Sequence, residues 1–249
     1  MIAIPTLEVP LDSLEAAVLA APLADRLELC DDLPSEGWTP SESLVRSVRA
    51  AVETELVVMV RPRVAGADSS LTATGFAADE RFVDACLADI EMAARAGAES
   101  VAIALLTRDG CVDMEACGDL AAHARAAGME VAFLRAFDLC RDRARAMRDI
   151  TALGARRVVT AGVFGWDALS ATLDARLESL EADVRAAVRA APPGAAPVEV
   201  VIGGGVRWGN AIDFLAISPH LHASCRRDGR FSREELELLR GQMGVTNPP

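Results

Sequence analysis

Two glutamates interrupt short apolar segments that have the character of β-strands. Glu8 lies inside the segment 7–9, and Glu28 lies inside the segment 26–30. A carboxylate buried without a partner is costly, so a glutamate at such a position usually pairs with a cation or binds a ligand. We predict that Glu8 contributes to ligand binding and that Glu28 is a catalytic acid or base. A structural ion pair with an arginine is the alternative for both.

Three arginines close two further segments of the same kind. Arg61 and Arg63 lie at the end of one segment, and Arg135 and Asp138 lie at the end of another. Guanidinium groups bind carboxylates and phosphates through paired hydrogen bonds. We predict that these arginines bind a small anionic molecule and that Asp138 transfers protons. In the alternative, the arginines only neutralise the nearby carboxylates in a closed network.

Two glycines and a histidine are the candidate site residues in the C-terminal part of the chain. Gly204 and Gly205 belong to a run of three glycines before a helical segment, a pattern that resembles the phosphate-binding loops of α/β barrels. We predict that both glycines contact the ligand, although the run is also compatible with a tight turn alone. His222 lies in the last strand-like segment, and we predict a catalytic role for it, with a ligand or core residue as alternatives.

Cys30 is the candidate metal ligand. It has the same strand parity as Glu28, so both side chains are expected on the same side of the strand, toward one end of the sheet. The alternative is a buried thiol that behaves as a small apolar side chain. The six cysteines form no CxxC pair, and we expect reduced thiols in a cytoplasmic protein.

Eight strand-like segments alternate with helical ones from end to end, and this order is typical of a parallel sheet. The predicted strands span 6–9, 26–30, 56–61, 100–106, 130–137, 157–161, 199–203 and 220–224. The predicted helices span 11–20, 40–53, 78–96, 113–127, 141–153, 166–190, 207–216 and 232–241. The pattern predicts an α/β fold, a (β/α)8 TIM-type barrel. In such barrels functional groups lie at the carboxyl ends of the strands, where most of the candidate residues fall.

Length and composition limit the possible functions. The 249 residues match one complete barrel, so we predict a single domain over residues 1–249. The net charge of −12 argues against nucleic acid as a partner. All 25 basic residues are arginines, which excludes enzymes that use a Schiff-base lysine. No apolar stretch of the sequence is long enough to predict a membrane span. We therefore expect a cytoplasmic protein without a membrane partner.

Seven short motifs, in their order and spacing, resemble the CutC family over about residues 6–227. They are Leu7-Glu8-Val9, Ala24 to Cys30, Arg61-Pro62-Arg63, Leu106 to Gly110, Arg135 to Asp138, Gly203 to Arg207 and His222-Ala223-Ser224. The resemblance implies a (β/α)8 barrel, a tendency to form homo-oligomers, and a role in copper homeostasis through copper bound by cysteines near the barrel mouth. Copper is therefore the expected metal, and a barrel enzyme for a small anionic metabolite is the alternative function.

Two positions depart from the pattern of this family. Pro10 stands where a cysteine usually follows the first strand, and Leu134 stands where a histidine usually precedes the motif that begins at Arg135. Cu(I) favours two or more sulfur or imidazole ligands. These departures leave Cys30 without an evident second thiol, while the glutamates, arginines and His222 of the other motifs are retained.

Overall fold

Eight parallel strands close into a barrel in the computed structural model, which describes residues 4–77 and 79–244. Each strand pairs with the next, and β8 returns to β1. The barrel strands are β1 Thr6–Leu11, β2 Arg26–Leu29, β3 Glu55–Met59, β4 Ser100–Ile103, β5 Glu130–Phe133, β6 Arg157–Thr160, β7 Glu199–Ile202 and β8 His220–His222. The predicted (β/α)8 barrel is confirmed.

Each barrel strand is followed by a helix in the described part of the chain. The helices are α1 Leu14–Ala20, α2 Glu42–Ala51, α3 Glu80–Ala96, α4 Met114–Ala126, α5 Arg143–Ala152, α6 Leu173–Ala190, α7 Ala211–Leu215 and α8 Arg233–Gln242. Between β8 and α8 the chain forms a short hairpin, β9 Arg226–Arg227 with β10 Arg230–Phe231. No pattern in the sequence predicted this hairpin.

Capping groups fix where several helices begin and end. The hydroxyls of Ser13, Ser41 and Ser232 accept hydrogen bonds from backbone N–H groups in the first turns of α1, α2 and α8. Gly97 ends α3 in the left-handed region, at φ +91°. The serine caps set where α1, α2 and α8 begin, and Gly97 sets where the chain leaves α3 and turns back toward the barrel.

Several predicted segments are longer than the elements that form. The strand predicted over 130–137 ends at Phe133, and Arg135–Leu139 forms a 3-10 turn instead. The helix predicted over 166–190 begins only at Leu173, because Thr172 caps it and the preceding residues form a loop with a 3-10 turn at Ala168–Ser170. The shorter elements leave longer loops at the carboxyl ends of β5 and β6.

The predicted single domain over 1–249 includes residues 1–3, 78 and 245–249, which lie outside the described residues. The domain boundary there stays a prediction. Apolar side chains from strands and helices form one continuous core between the barrel and its helices. None of the described helices combines the length and apolarity that crossing a membrane requires.

Candidate functional site

A cavity of about 320 Å³ opens at the carboxyl ends of the strands, and we call it the mouth cavity. Its lining includes residues that follow or end β2, β3, the β5 turn, β7 and β8. Six of the ten predicted site residues line it: Glu28, Arg61, Arg135, Gly204, Gly205 and His222. The other four, which are Glu8, Arg63, Asp138 and Cys30, lie outside the lining. A volume of this size suits a small metabolite.

His222 connects the two buried glutamates. The strand pairing sets Glu8 opposite His222, and the Nδ1 atom of His222 lies 2.9 Å from the Oε1 atom of Glu8. The other ring nitrogen, Nε2, lies 3.7 Å from the Oε2 atom of Glu28. Glu8 also accepts a hydrogen bond of 3.0 Å from Arg26, behind the cavity. Glu8 is therefore the anchor of the histidine, and Glu28 is the carboxyl group that lines the cavity.

The surroundings drive the acidities of the two glutamates apart. Burial raises the pKa of Glu28 to about 7, with the negative charge of Glu8 adding to the rise. Burial acts on Glu8 too, but the hydrogen bond and charge of His222, with nearby arginines, lower its pKa to about 2. Burial opposes the charged form of His222, but Glu8 and Glu28 together raise its pKa above the ordinary value. Two neighbouring carboxyl groups whose pKa values differ this much are the arrangement expected of an acid–base site.

Two guanidinium groups and three aromatic rings form one continuous stack beside the cavity. Arg61 lies over the Trp38 ring at 4.3 Å and over the Phe76 ring at 5.0 Å. Phe76 stacks on Trp166 at 5.6 Å, and Arg135 lies over the Trp166 ring at 4.7 Å. Cation–π contacts of this kind hold a guanidinium plane in one orientation. The stack therefore fixes both arginines at the cavity wall.

The two stacked arginines each use two of their five N–H donors, but through different nitrogens. Both terminal nitrogens of Arg61 donate to backbone carbonyls, those of Gly37 and Ser69. Arg135 donates through Nε to Asp138 and through Nη2 to the carbonyl of Trp166. Within residues 4–77 and 79–244, its Nη1 atom has no acceptor. Arg135 is thus better able than Arg61 to bind a ligand.

Asp138 is completely buried beneath this arginine. Its Oδ1 atom accepts hydrogen bonds from Thr160 at 2.5 Å and Arg143 at 3.1 Å, and its Oδ2 atom accepts one from the backbone N–H of Ala161 at 2.8 Å. Its contact with Arg135 is longer, at 3.4 Å. These contacts are those of a residue that positions Arg135, and the predicted proton transfer by Asp138 stays untested.

Arg63 and Cys30 both lie outside the cavity lining, but Arg63 is exposed to solvent and Cys30 is buried. The Arg63 side chain is 52% exposed and pairs with Asp31 and Asp32 outside the cavity. The thiol of Cys30 is buried, donates to the carbonyl of Leu11 at 3.6 Å, and has a pKa raised chiefly by burial. Neither side chain faces the mouth cavity, although Arg63 extends the aromatic stack through a 4.9 Å contact with Trp38.

Several lining residues were not found from the sequence. Trp166 and Arg226 each contribute a buried polar atom, Nε1 and Nη1 respectively, that has no hydrogen-bond partner among the described residues. The Oε1 atom of Glu28 is a third such atom. Buried polar groups are usually paired, so these three atoms are positions at which a water molecule or a ligand would complete the hydrogen bonding. Trp166 and Arg226 lie in the connections that follow β6 and β8, and barrel topology brings such connections to one end.

Gly204 gives a direct test of how tightly the cavity wall is packed. A Cβ atom there would lie 2.7 Å from the Cβ atom of Ala161 and 3.0 Å from that of Ala168, and its φ is +72°. We expect Gly204→Ala to lower the free energy of unfolding by about 2–4 kcal/mol, the sum of overpacking and left-handed strain. Urea denaturation measures this change.

Gly205→Ala is the matched control. Gly205 has nearly the same φ, +75°, but nothing within 4 Å of the added Cβ atom. It therefore carries only the backbone cost, about 1–2 kcal/mol. Equal losses of stability in the two variants would contradict the packing described for Gly204.

The family model described as the CutC family matches residues 5–226. The chain belongs to the CutC family. A human relative, named copper homeostasis protein cutC homolog, is 38% identical over 157 residues, which cover 63% of this chain and 54% of the human protein. A CutC-family protein of Chromobacterium violaceum is 35% identical over 205 residues, covering 82% of this chain and 73% of the relative. The match thus spans little more than half of the human protein.

A solved structure shares the fold of this CutC-family chain. The crystal structure of a CutC protein from Streptococcus agalactiae has a TM-score of 0.73 and 21% sequence identity, and the match covers 88% of this chain and 98% of that one. At this identity the likeness shows the fold alone. Barrels of this kind host many activities, so the function has to be argued from the site.

Proposed function

We propose that this chain takes part in copper homeostasis, the role that gives its human relative its name. Membership of the CutC family over residues 5–226 is the observation that carries the proposal. We further propose that the chain acts in the cytoplasm, where its free cysteines stay reduced. Self-association, which the family resemblance implies, stays a prediction.

Copper would be the cargo in this role, and the residues around Cys30 fit it poorly. In the described ranges, no three His, Cys, Asp or Glu side chains are grouped so that they could hold a metal ion. Met59 and Cys30 both pack close to Gly37, so one thioether and one buried thiol are the soft donors there. The raised pKa of the Cys30 thiol also opposes the thiolate that binds metals. We therefore derive no copper step through Cys30.

Copper tolerance in cells tests the proposed role. We expect the chain to restore growth on copper to a bacterium whose own CutC-family gene has been deleted, and Cys30→Ser to restore it equally. With purified protein, we expect neither form to take Cu(I) from a strong competing chelator under anaerobic, reducing conditions. Cys86→Ser, which alters another buried thiol, is the matched control.

Two results would count against these expectations, and they have different meanings. Failure of the wild-type chain to restore growth on copper would overturn the role in copper homeostasis. One-to-one uptake of Cu(I) that is lost in Cys30→Ser but kept in Cys86→Ser would instead establish a copper site at Cys30.

The second candidate function is the binding of a small anionic molecule in the mouth cavity. Four arginines line the cavity against two carboxylates; these residues are Arg61, Arg135, Arg207, Arg226, Glu28 and Glu36. The three unpaired polar atoms on its wall are the specific observation that favours a ligand there. Saturable binding of inorganic sulfate or phosphate by the wild-type chain is the result that this function requires.

A further inference from the structure

The turn after β7 presents unused hydrogen-bond donors to the mouth cavity. Gly204, Gly205 and Val206 line it, and across residues 4–77 and 79–244 their backbone N–H groups have no acceptor. Arg176 is buried beneath the turn and donates to the carbonyl oxygens of Gly203 and Gly204. The carbonyls are thus occupied from behind the turn, whereas three successive N–H groups are available for an acceptor.

Arg135 lies directly against this turn. A Cβ atom on Gly204 would lie 3.4 Å from the Cζ atom of Arg135, so the guanidinium packs on the glycine itself. Among the described residues, its Nη1 atom meets no acceptor, so both N–H groups of this terminal nitrogen are free. Backbone N–H groups beside a guanidinium are a common way to bind the oxygens of a phosphoryl or sulfate group. Arg61 is less suited to this role, because each of its terminal nitrogens is already held by a backbone carbonyl, whereas Nη1 of Arg135 is not held by any described acceptor.

The acid–base pair lies on the other side of the same turn. A Cβ atom on Gly203 would lie 3.5 Å from the Cδ2 atom of His222, so the imidazole ring also packs against the turn. Glu28 is 2% exposed, and its Oε1 atom is one of the unpaired polar atoms on the cavity wall. Since the turn, His222 and Glu28 line one cavity of only about 320 Å³, an anion bound at the turn would share that small space with both side chains.

We propose that Arg135 and the turn 204–206 bind one tetrahedral oxyanion, such as the phosphoryl group of a small metabolite, and that Glu28 takes up a proton when the oxyanion binds. This inference rests on the small-anion function proposed above and assigns the chemistry of that ligand. The proton comes from the buffer and adds to the Glu28 carboxylate, which becomes a neutral carboxylic acid. Its O–H group can then donate to a ligand oxygen.

The charges around Glu28 explain why binding and protonation are coupled. Burial is the main cause that raises the pKa of Glu28 to about 7; of the charges that surround the carboxyl group within the barrel, Glu8 adds to the rise, whereas His222 and Arg157 oppose it. The other charged side chains of the cavity wall are Arg61, Arg135, Arg207, Arg226 and Glu36. A new negative charge beside Glu28 favours its neutral form further, because like charges oppose ionisation. At slightly alkaline pH, where Glu28 is mostly ionised before binding, the uptake is largest.

Calorimetric titration with sodium sulfate measures both parts of the proposal. Sulfate keeps its charge across neutral pH, so a proton taken up on binding belongs to the protein. Titrations at about pH 7.5 in two buffers of different ionisation enthalpy give the number of protons bound per sulfate. We expect net uptake of a large fraction of one proton in the wild type and loss of that uptake in Glu28→Gln.

Variants of the arginines test where the oxyanion binds. We expect Arg135→Gln to weaken sulfate binding about tenfold or more, since it removes a charged donor. Arg46→Gln, which changes an exposed arginine of α2 far from the cavity lining, is expected to bind like the wild type. Arg135→Lys keeps the charge but loses the planar fork, and it gives a weaker-binding variant if the glutamine form does not fold.

The possible failures are distinguishable. If the wild type binds neither sulfate nor phosphate saturably, the small-anion function itself is wrong. If sulfate binds but Arg135→Gln and Arg135→Lys bind it as tightly as the wild type, the oxyanion site is not at the turn 204–206. If proton uptake is absent in the wild type or persists in Glu28→Gln, the coupling to Glu28 is wrong.

Discussion

Replacing Glu8 by glutamine is expected to lower the free energy of unfolding at pH 7 by about 3–5 kcal/mol, because it leaves buried cations without their counter-ion. The carboxylate of Glu8 is 1% exposed and lies 3.0 Å from Arg26, 2.9 Å from His222 and 4.0 Å from Arg157. Glutamine has nearly the same shape, so the loss reports charge rather than packing.

The effect of Glu8→Gln should depend on pH in a defined direction. The pKa of Glu8 in the folded chain is about 2, below its ordinary value of 4.5. The stability that the ionised form contributes is therefore fully present above pH 4.5 and is lost as the pH falls through about 2. Urea denaturation at neutral pH and at the lowest pH that keeps the chain folded measures the difference, which we expect to shrink on acidification.

Glu55→Gln is the matched control for this experiment. Glu55 pairs with Arg157 at 3.0 Å, but its side chain is 33% exposed at the amino end of β3. Solvent screens that pair, and we expect a loss of about 1 kcal/mol or less. A Glu8→Gln variant no less stable than Glu55→Gln would show that Glu8 is not the counter-ion of the barrel interior.

The alternation of apolar strands and helices was enough to predict the barrel, but it could not define where each strand ends. Residues 104–106 and 134–137 continue the buried apolar pattern of β4 and β5, and they read as strand for that reason. Burial at the barrel mouth comes from loops packing on loops, not from strand pairing. The periodicity of apolar residues indicates burial, and only the backbone hydrogen bonds distinguish a buried strand from a buried loop.

The candidate site was predictable where topology alone determines position. Glu28, Arg135 and His222 follow or end different strands, and closure of the barrel brings them to one cavity. The sequence could not show which carboxylate would face the cavity, because Glu8 and Glu28 have equivalent strand contexts. Pairing of Glu8 with His222 across β1 and β8, at opposite ends of the chain, decides this.

Buried arginines on the helical side of the fold carry no signal in the sequence. Arg176 lies in a helix whose pattern would expose it, yet it is buried and donates to Ala161, Gly203 and Gly204. Its long apolar stem crosses the interface between α6 and the barrel before the guanidinium meets the backbone. Such a contact depends on the three-dimensional arrangement of loops that periodicity does not specify.

Glu28→Gln is expected to stabilise the chain, in contrast to Glu8→Gln, although both remove a buried carboxyl group. The folded chain raises the pKa of Glu28 from 4.5 to about 7, so the neutral form is favoured by folding. The stability that neutral Glu28 contributes is fully present below pH 4.5 and is lost as the pH rises through about 7. The free energy of unfolding falls by about 3 kcal/mol over this range. Glutamine stays neutral, so the variant should exceed the wild type by about that amount at pH 8 and differ little at pH 4.

Urea unfolding midpoints of the wild type and Glu28→Gln between pH 4 and pH 9 measure this divergence with rising pH. Glu36→Gln is the control, because Glu36 also lines the cavity but is exposed to solvent, and its profile should follow that of the wild type. Parallel profiles for the wild type and Glu28→Gln would mean that burial does not perturb this carboxyl group. Profiles that separate as the pH rises would show that the chain carries an ionisable group at a cost in stability near neutral pH. Such a cost is characteristic of groups that serve a ligand site rather than the fold.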